Sequence, residues 1–277
     1  MDSKELTIVI VTFNSNSILD VCLKSIPENI KIILVENSNN EKFKRHYENK
    51  YRNLKCILSG ENKGYATANN IGLKEVKTKY ALVLNPDTVL HDEAIKNFFK
   101  SALSKKDFWL IGPASDQMIE VDFKKSNIVE VNNIKGFAIF FNLSKFNNNF
   151  FDENYFLYFE EIDLCKRVKN SNGKIYMDRS IIINHKGASS VDKVNFLELE
   201  KNRNWHWMWS SFYYHKKYKG FLIAFSIIFP KLFSAIIKTF FYLLILKKKE
   251  KEIYFCRLNG IIHSMFGNKS WYRPSLD

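Results

Sequence analysis

Four short apolar runs, each cut off by a polar segment, narrow the possible folds of this chain more than any other feature. They are Leu6–Phe13, Ile30–Val35, Leu54–Leu58 and Tyr80–Leu84. The first, LTIVIVTF, is β-branched and apolar almost throughout, the pattern of a strand covered on both faces. The intervening segments are helical in character. Asn14-Ser15-Asn16-Ser17 offers N-cap candidates for a helix to about Ser25, Glu41–Tyr51 is a charged surface helix, and another helix runs from near Tyr65 to Val76. Strands alternating with helices at this spacing predict a parallel, doubly wound α/β sheet.

Beyond Asp87 the pattern loosens. Asp92–Leu103 reads as a helix, Phe108–Ile111 as a strand, Lys135–Asn142 as a glycine-led strand and Phe151–Tyr158 as an aromatic loop. Phe159–Lys169 is helical, and Ile175–Met177 and Ile181–Ile183 are short strands. From Val194 onward the pattern is helical, which divides the chain into a domain over 1–195 and a basic helical region over 196–277. Residues 201–277 carry fourteen lysines and arginines against Glu250, Glu252 and Asp277, so +11 of the formal +13 lies there. Such a tail implies an anionic partner surface. Cys22, Cys56, Cys165 and Cys256 have no CxxC spacing, which predicts buried free thiols in a reducing cytoplasm. Met1-Asp2-Ser3-Lys4-Glu5 lacks the charge pattern of a signal peptide. Asn147-Asn148-Asn149 reads as a turn and Lys247-Lys248-Lys249 as a helix-end charge cluster.

In an open parallel sheet, ligands bind beyond the carboxyl ends of the strands. Thr12-Phe13-Asn14, Glu36-Asn37-Ser38, the stretch Asn62 to Asn70 and Asn85-Pro86-Asp87 all fall there. The stretch Asn62-Lys63-Gly64-Tyr65-Ala66-Thr67-Ala68-Asn69-Asn70-Ile71-Gly72 packs glycine, small residues and amides where a helix begins. That is equipment for an anionic, hydrogen-bonding ligand. No GxGxxG follows the first strand and no GxxxxGKS/T occurs, so dinucleotide and P-loop sites are disfavoured. Phosphate binding then needs another device, for which a divalent cation held by a carboxylate is the natural candidate, and Asp87 fits that role by position, with Pro86 stiffening its turn. Glu160-Glu161-Ile162-Asp163 offers carboxylates able to take a proton from a hydroxyl. On a helix Glu160 and Asp163 share a face, and Glu161 points elsewhere.

These pieces resemble the family 2 inverting glycosyltransferases of the GT-A fold, near the bacterial rhamnosyltransferase-like members. The matching segments are Val11-Thr12-Phe13-Asn14, Val35-Glu36-Asn37-Ser38, Asn62 to Gly72, Asn85-Pro86-Asp87, Gly136-Phe137-Ala138, Phe151-Asp152-Glu153, Tyr158 to Cys165 and His185-Lys186-Gly187. They run in the family's order over residues 6–190. The resemblance implies a doubly wound mixed sheet and a nucleotide-sugar site formed by Thr12, Phe13, Asn14, Glu36, Asn62, Gly64, Tyr65, Asn69, Asn85, Asp87 and Gly136. Glu36 would read the base, Asp87 and His185 would bind Mg2+ or Mn2+, and Glu161 would be the general base, with Glu160 and Asp163 as alternatives. It further implies transfer of a sugar from dTDP-rhamnose or a UDP-sugar to a glycan or polyprenyl-linked acceptor in bacterial surface polysaccharide synthesis. Asn85 and Glu161 stand where the family usually has Asp, which leaves a catalytically inactive assembly protein as the alternative.

Gly220–Leu246 is long enough to span a bilayer, but Lys231 and Lys238 interrupt it and Pro230 breaks or kinks it. The two lysines share a helical face with Ser234, and the other face is Phe, Leu and Ile. That pattern predicts an interfacial helix on an anionic membrane, peripheral on the inner face of the plasma membrane. A homodimer through the same helices is the alternative, and nucleic acid is not an expected partner. Trp205, Trp207, Trp209, Tyr213 and Tyr214 ahead of it form either an aromatic belt or a packed helix face.

Overall fold

The computed structural model describes residues 3–13, 15–114, 126–185 and 196–273. Asn14, Lys186 and Gly187, drawn into the sequence argument, lie outside them. The chain divides into two compact units, Met1–Asp152 with Glu160–Asp192, and Glu153–Phe159 with Lys193–Asp277.

In the first unit the four apolar runs become β1 (Leu6–Thr12), β2 (Lys31–Glu36), β3 (Leu54–Leu58) and β4 (Tyr80–Leu84). They are linked by α1 (Asn16–Lys24), α2 (Glu41–Lys50) and α3 (Gly64–Glu75). β1 pairs in parallel with β2 and β4, and β2 with β3. Side chains fix how two of these helices sit. Asn40 caps α2, its side chain accepting from Phe43 N at 3.0 Å. α3 lies so close to the sheet that a Cβ on Gly72 would come within 2.4 Å of Val9 Cγ1.

The remaining strands are β5 (Thr88–Leu90), β6 (Phe108–Pro113), β7 (Ile128–Glu130), β8 (Ala138–Asn142), β9 (Lys174–Asp178) and β10 (Ile183–His185). With α4 (Ala94–Ser104) and α5 (Glu160–Asn170) they complete the unit. The main sheet runs β3-β2-β1-β4-β8-β6-β9-β7. β8 is antiparallel to both β4 and β6, and β7 is antiparallel to β9, so the sheet is mixed. The order reverses at β1, which puts a crevice beyond the carboxyl ends of β1 and β4. β5 and β10 form a separate antiparallel pair. Stacked Phe98, Tyr80, Phe108 and Phe140 rings fill the core beneath β4 and β8. Cys22, Cys56, Cys165 and Cys256 are free and buried.

Several elements depart from the sequence reading. β8 begins at Ala138, because Gly136 and Phe137 spend their carbonyls on Tyr65 Oη and Asn85 N. The last short strand sits at Ile183–His185, where it pairs with β5, while Ile181 enters the core.

The second unit holds α6 (Phe196–Lys219), α7 (Phe221–Leu244) and α8 (Lys248–Met265), packed on one another. α7 passes through Pro230 without ending. Of the two readings for the aromatic residues of α6, the packed helix face holds for Trp205 and Trp209, which are buried with Cys256, while Trp207 is exposed. On its inward face α7 buries Ala224, Ile228 and Ala235. Its opposite face leaves Leu222, Phe229, Phe233, Ile237, Phe240 and Leu244 exposed, with Leu244 at 80 %. α7 is long and apolar enough to cross a membrane.

Candidate functional site

The residues at the strand ends of the first unit converge on the turn Gly136-Phe137. Tyr65, in the first turn of α3, donates its hydroxyl to Gly136 O at 2.6 Å. Asn85 N, just past β4, donates to Phe137 O at 2.9 Å. Phe137 stacks on the His185 ring, with centroids 4.6 Å apart and 12° between planes. Gly136 faces Glu161, whose Cδ would lie 3.8 Å from a Cβ placed there. One glycine-led turn therefore touches residues from α3, the end of β4, β10 and α5.

Asp87 and His185 are far apart in sequence and meet in space. β10 pairs with β5 in a register that sets His185 opposite Thr88. His185 Nε2 is 3.4 Å from Asp87 Oδ1, and the Asp87 side chain is 1 % exposed. The loop carrying Asp87 is fixed from below, where Thr88 Oγ1 donates to Asn85 O at 2.6 Å. Cys22 lies beneath it, and burial pushes its thiol up to about 12. Among the described residues no group of three or more His, Cys, Asp or Glu side chains is arranged for a metal. A carboxylate beside an imidazole fits a cation that draws its other ligands from a bound diphosphate and water.

The carboxylates of α5 separate into three environments. Asp163 is fully buried and accepts from Arg167 Nε at 2.8 Å. That guanidinium also donates to the carbonyls of Asn149 and Phe150. Asp163, one of the three carboxylates expected as a possible base, is thereby held in an ion pair. Glu160 is 6 % exposed, and its Oε2 has no hydrogen-bond partner among the described residues. Burial, reinforced by the charge of Glu161, holds its carboxyl well above the usual range. Glu161 is half-buried. Desolvation raises its carboxyl too, opposed by Lys135. The two residues ahead of this helix, Tyr158 and Phe159, take φ of 69° and 70°. For aromatic side chains that conformation costs about 1–3 kcal/mol each, and such strain gathers at functional sites.

The β3–α3 loop is held by an amide pair. Asn37 Nδ2 donates to Asn62 Oδ1 at 3.1 Å, and Asn37 Oδ1 accepts from Lys63 N at 3.0 Å. Asn62 Oδ1 also accepts from Gly64 N, and Gly64 takes φ of 78°, where glycine is at ease. Glu36 is occupied within its own loop, accepting from Ser38 Oγ at 2.7 Å and from the Ser38 and Asn40 amides. Thr12 Oγ1 and Asn69 Oδ1 are buried and have no hydrogen-bond partner among the described residues, which is compatible with groups left open for a ligand. Phe13 is half-exposed at the end of β1.

Asn37, Asn70 and Phe137 were not among the expected site residues. Asn70 exchanges two hydrogen bonds with the Phe151 backbone, at 2.9 and 3.0 Å. Asn37 and Asn70 lay inside the quoted motifs, but each works as a clamp on a distant loop, which neighbours in sequence do not reveal.

Known proteins resemble this chain in sequence and in fold. The family model described as glycosyl transferase family 2 matches residues 7–165. A low-salt glycan biosynthesis hexosyltransferase, Agl10 of Haloferax volcanii, is 24 % identical over 195 residues, covering 61 % of this chain and 62 % of that protein. A teichoic acid poly(glycerol phosphate) polymerase of Staphylococcus epidermidis is 30 % identical over 117 residues, covering 39 % and 16 %. The chain thus spans less than two thirds of either curated relative. Among solved structures, the mannosyltransferase PcManGT of Pyrobaculum calidifontis, in complex with GDP-Man and Mn2+, is similar with a TM-score of 0.59 at 11 % identity, over 96 % of this chain and 88 % of that one. S. aureus TarS 1-349 in complex with UDP-GlcNAc is similar with a TM-score of 0.54 at 13 % identity, over 99 % and 97 %.

Proposed function

The chain belongs to glycosyl transferase family 2 and has the GT-A fold, and from that premise we propose that it moves a sugar from a nucleotide sugar to a hydroxyl of a glycan or polyprenyl-linked acceptor, inverting the anomeric carbon. The observation that carries this reading is the convergence of Tyr65, Asn85, Glu161 and the Asp87–His185 pair on the Gly136-Phe137 turn.

Glu161 is the base in this scheme. Its carboxylate accepts the acceptor hydroxyl proton as that oxygen attacks the anomeric carbon, the bond to the diphosphate breaks, and the nucleoside diphosphate leaves. One displacement gives inversion. A carboxyl raised by burial is a stronger base than a solvated one, and such a base contributes about 10²–10⁴ in rate. Glu160, held toward its neutral form, does not compete for the proton. Thr12, Phe13, Asn62, Gly64, Asn69 and Asn85 would line the donor crevice, and Asn14, outside the described residues, follows Phe13 in sequence. Glu36 stands beside the base, with Ser38 presetting its carboxylate. Asp87 and His185 would hold Mg2+ or Mn2+. When bound, that cation neutralises charge on the leaving diphosphate. Mn2+ in the similar PcManGT structure supports that assignment.

The donor is dTDP-rhamnose or a UDP-sugar, and the product a cell-surface polysaccharide. The exposed apolar face of α7 rests on the cytoplasmic leaflet, with Lys216, Lys217 and Lys219 before it and Lys247, Lys248 and Lys249 after it. Basic residues at both ends suit a helix lying in the interface, since each contributes about 1 kcal/mol near an anionic surface.

The test is release of nucleoside diphosphate across a panel of dTDP-, UDP- and GDP-sugars, with Mn2+ and with EDTA. Turnover of one donor, abolished by EDTA and by Asp87→Ala, is expected. No turnover with any donor would remove the enzymatic reading, and full activity in EDTA would remove the metal.

A further inference from the structure

At the opposite end of α5 from the Glu160-Glu161 pair, the first unit holds a cavity of about 370 Å3 whose lining includes Trp109, Lys145, Phe146, Asn147, Asn149 and Asn170. Glu161 and Asn170 are nine residues apart on α5, which separates them by roughly 13 Å along the helix. The cavity is therefore distinct from the crevice at the strand ends.

Its walls are fixed in place. Trp109 meets Phe146 nearly edge-on, with centroids 5.3 Å apart at 72°. The back of its ring lies against Gly173, where a Cβ would come within 2.8 Å of Trp109 Cδ2. The Asn147–Asn149 turn, with Asn148 at φ 56°, is fastened to α5 by Arg167, which donates to the carbonyls of Asn149 and Phe150. Arg167 is in turn anchored on the fully buried Asp163 at 2.8 Å. That ion pair takes no part in the reaction above, and what it holds still is this turn.

The lining chemistry is specific. A sugar ring has a face of C–H groups and a rim of hydroxyls that both donate and accept. An aromatic pair supplies the matching apolar surface, and each asparagine amide offers a donor and an acceptor to the rim. The volume lies within the range of small-molecule sites. An anion is disfavoured, because Asn170 closes the C-terminal end of α5, where the helix dipole is negative. Lys145 is the one lysine lining the cavity, and Arg167 is already spent on Asp163.

We propose that this cavity is a second saccharide site, holding a neutral segment of the acceptor glycan away from the reacting carbon. The assignment rests on the glycosyltransferase reading for its biological use, but not for its binding chemistry.

The experiment is saturation-transfer NMR on the full chain, with maltotriose, chitotriose and mannotriose as probes and the donor crevice filled by UDP or GDP. At least one trisaccharide should bind under these conditions. Trp109→Ala should weaken it about tenfold, the loss expected for an aromatic contact surface. Because Trp109→Ala could unfold the wall, Asn147→Ala/Asn170→Ala, at exposed positions, is the second variant and should weaken binding without altering nucleoside diphosphate release. No signal from any trisaccharide, unchanged binding in the Asn147→Ala/Asn170→Ala protein, or competition by uridine alone would overturn the proposal. Absent donor turnover with intact trisaccharide binding would instead strike at the enzymatic reading and leave this site standing.

Discussion

Asn70→Ala tests how the fold builds the site. Asn70 is 3 % exposed and lies on the buried side of α3. Its Nδ2 donates to Phe151 O at 2.9 Å and its Oδ1 accepts from Phe151 N at 3.0 Å. Phe151 is itself 2 % exposed, so neither backbone group finds water when the amide is gone. An orphaned buried polar group costs about 1–3 kcal/mol, so two should cost about 2–6 kcal/mol before relaxation. That is a large share of the roughly 5–15 kcal/mol that holds a typical domain folded. The damage should reach the site, because Phe151 packs edge-on against Tyr65 at 5.9 Å and Tyr65 holds Gly136. Urea unfolding followed by circular dichroism gives the stability, and amide exchange at Phe151 gives the local opening. Asn70→Asp is the control, since it keeps the acceptor for Phe151 N but sets a carboxylate oxygen against Phe151 O, and it should be no milder than alanine. A loss below about 1 kcal/mol in Asn70→Ala, with Phe151 exchange unchanged, would refute the clamp.

Glu160→Gln should stabilise the protein at neutral pH. The folded state keeps a proton that the unfolded chain releases near pH 4.3, so native stability should be highest below that pH and fall as pH rises toward the folded value, by at most about 1.4 kcal/mol per pH unit. Thermal melts of both proteins from pH 4 to 8 read this, and parallel profiles would contradict it. Gly72→Ala should cost about 1–3 kcal/mol, because its Cβ would meet Val9 Cγ1 at 2.4 Å and Val35 Cγ2 at 3.1 Å, and an unchanged denaturation midpoint would show that α3 sits farther from the sheet. Phe233→Glu/Phe240→Glu, on the exposed face of α7, should abolish sedimentation with anionic vesicles while sparing the melting temperature; retained binding would exclude that face as the membrane contact.

The first half of the sheet was legible because β1 to β4 are short apolar runs with polar ends, and burial on both faces writes itself into composition. β5 and β7 were not, since each has three residues, too few for any period to register. That loss mattered at the site. β5 is what brings His185 back to Asp87, so the sequence offered both residues without the antiparallel β5–β10 strand pair that joins them. Lys135–Phe137 read as strand because Gly-Phe-Ala-Ile is apolar, but its carbonyls serve a side chain and a loop rather than a ladder. Asp163 was indistinguishable from its neighbours until Arg167 appeared one turn away with two loop carbonyls in its grasp. The tryptophans of α6 left two readings open: their amphipathic chemistry suits a membrane belt, yet Trp205 donates to Asn259 and Trp209 to Asn268 O inside the helical unit.

The central claim is that Glu161 takes the acceptor proton while Glu160 and Asp163 serve the fold. It is tested by the rate of nucleoside diphosphate release at saturating donor and acceptor in Glu161→Gln, Glu160→Gln and Asp163→Asn, with nucleotide affinity measured for each. Glu161→Gln should bind nucleotide as the native protein does and turn over about 10² or more slower. Glu160→Gln should remain active, and the slow step of the native enzyme should weaken as pH falls through the raised Glu161 value, because the base must be ionised. Native turnover in Glu161→Gln, with loss in Glu160→Gln or in a folded Asp163→Asn protein, would contradict the account.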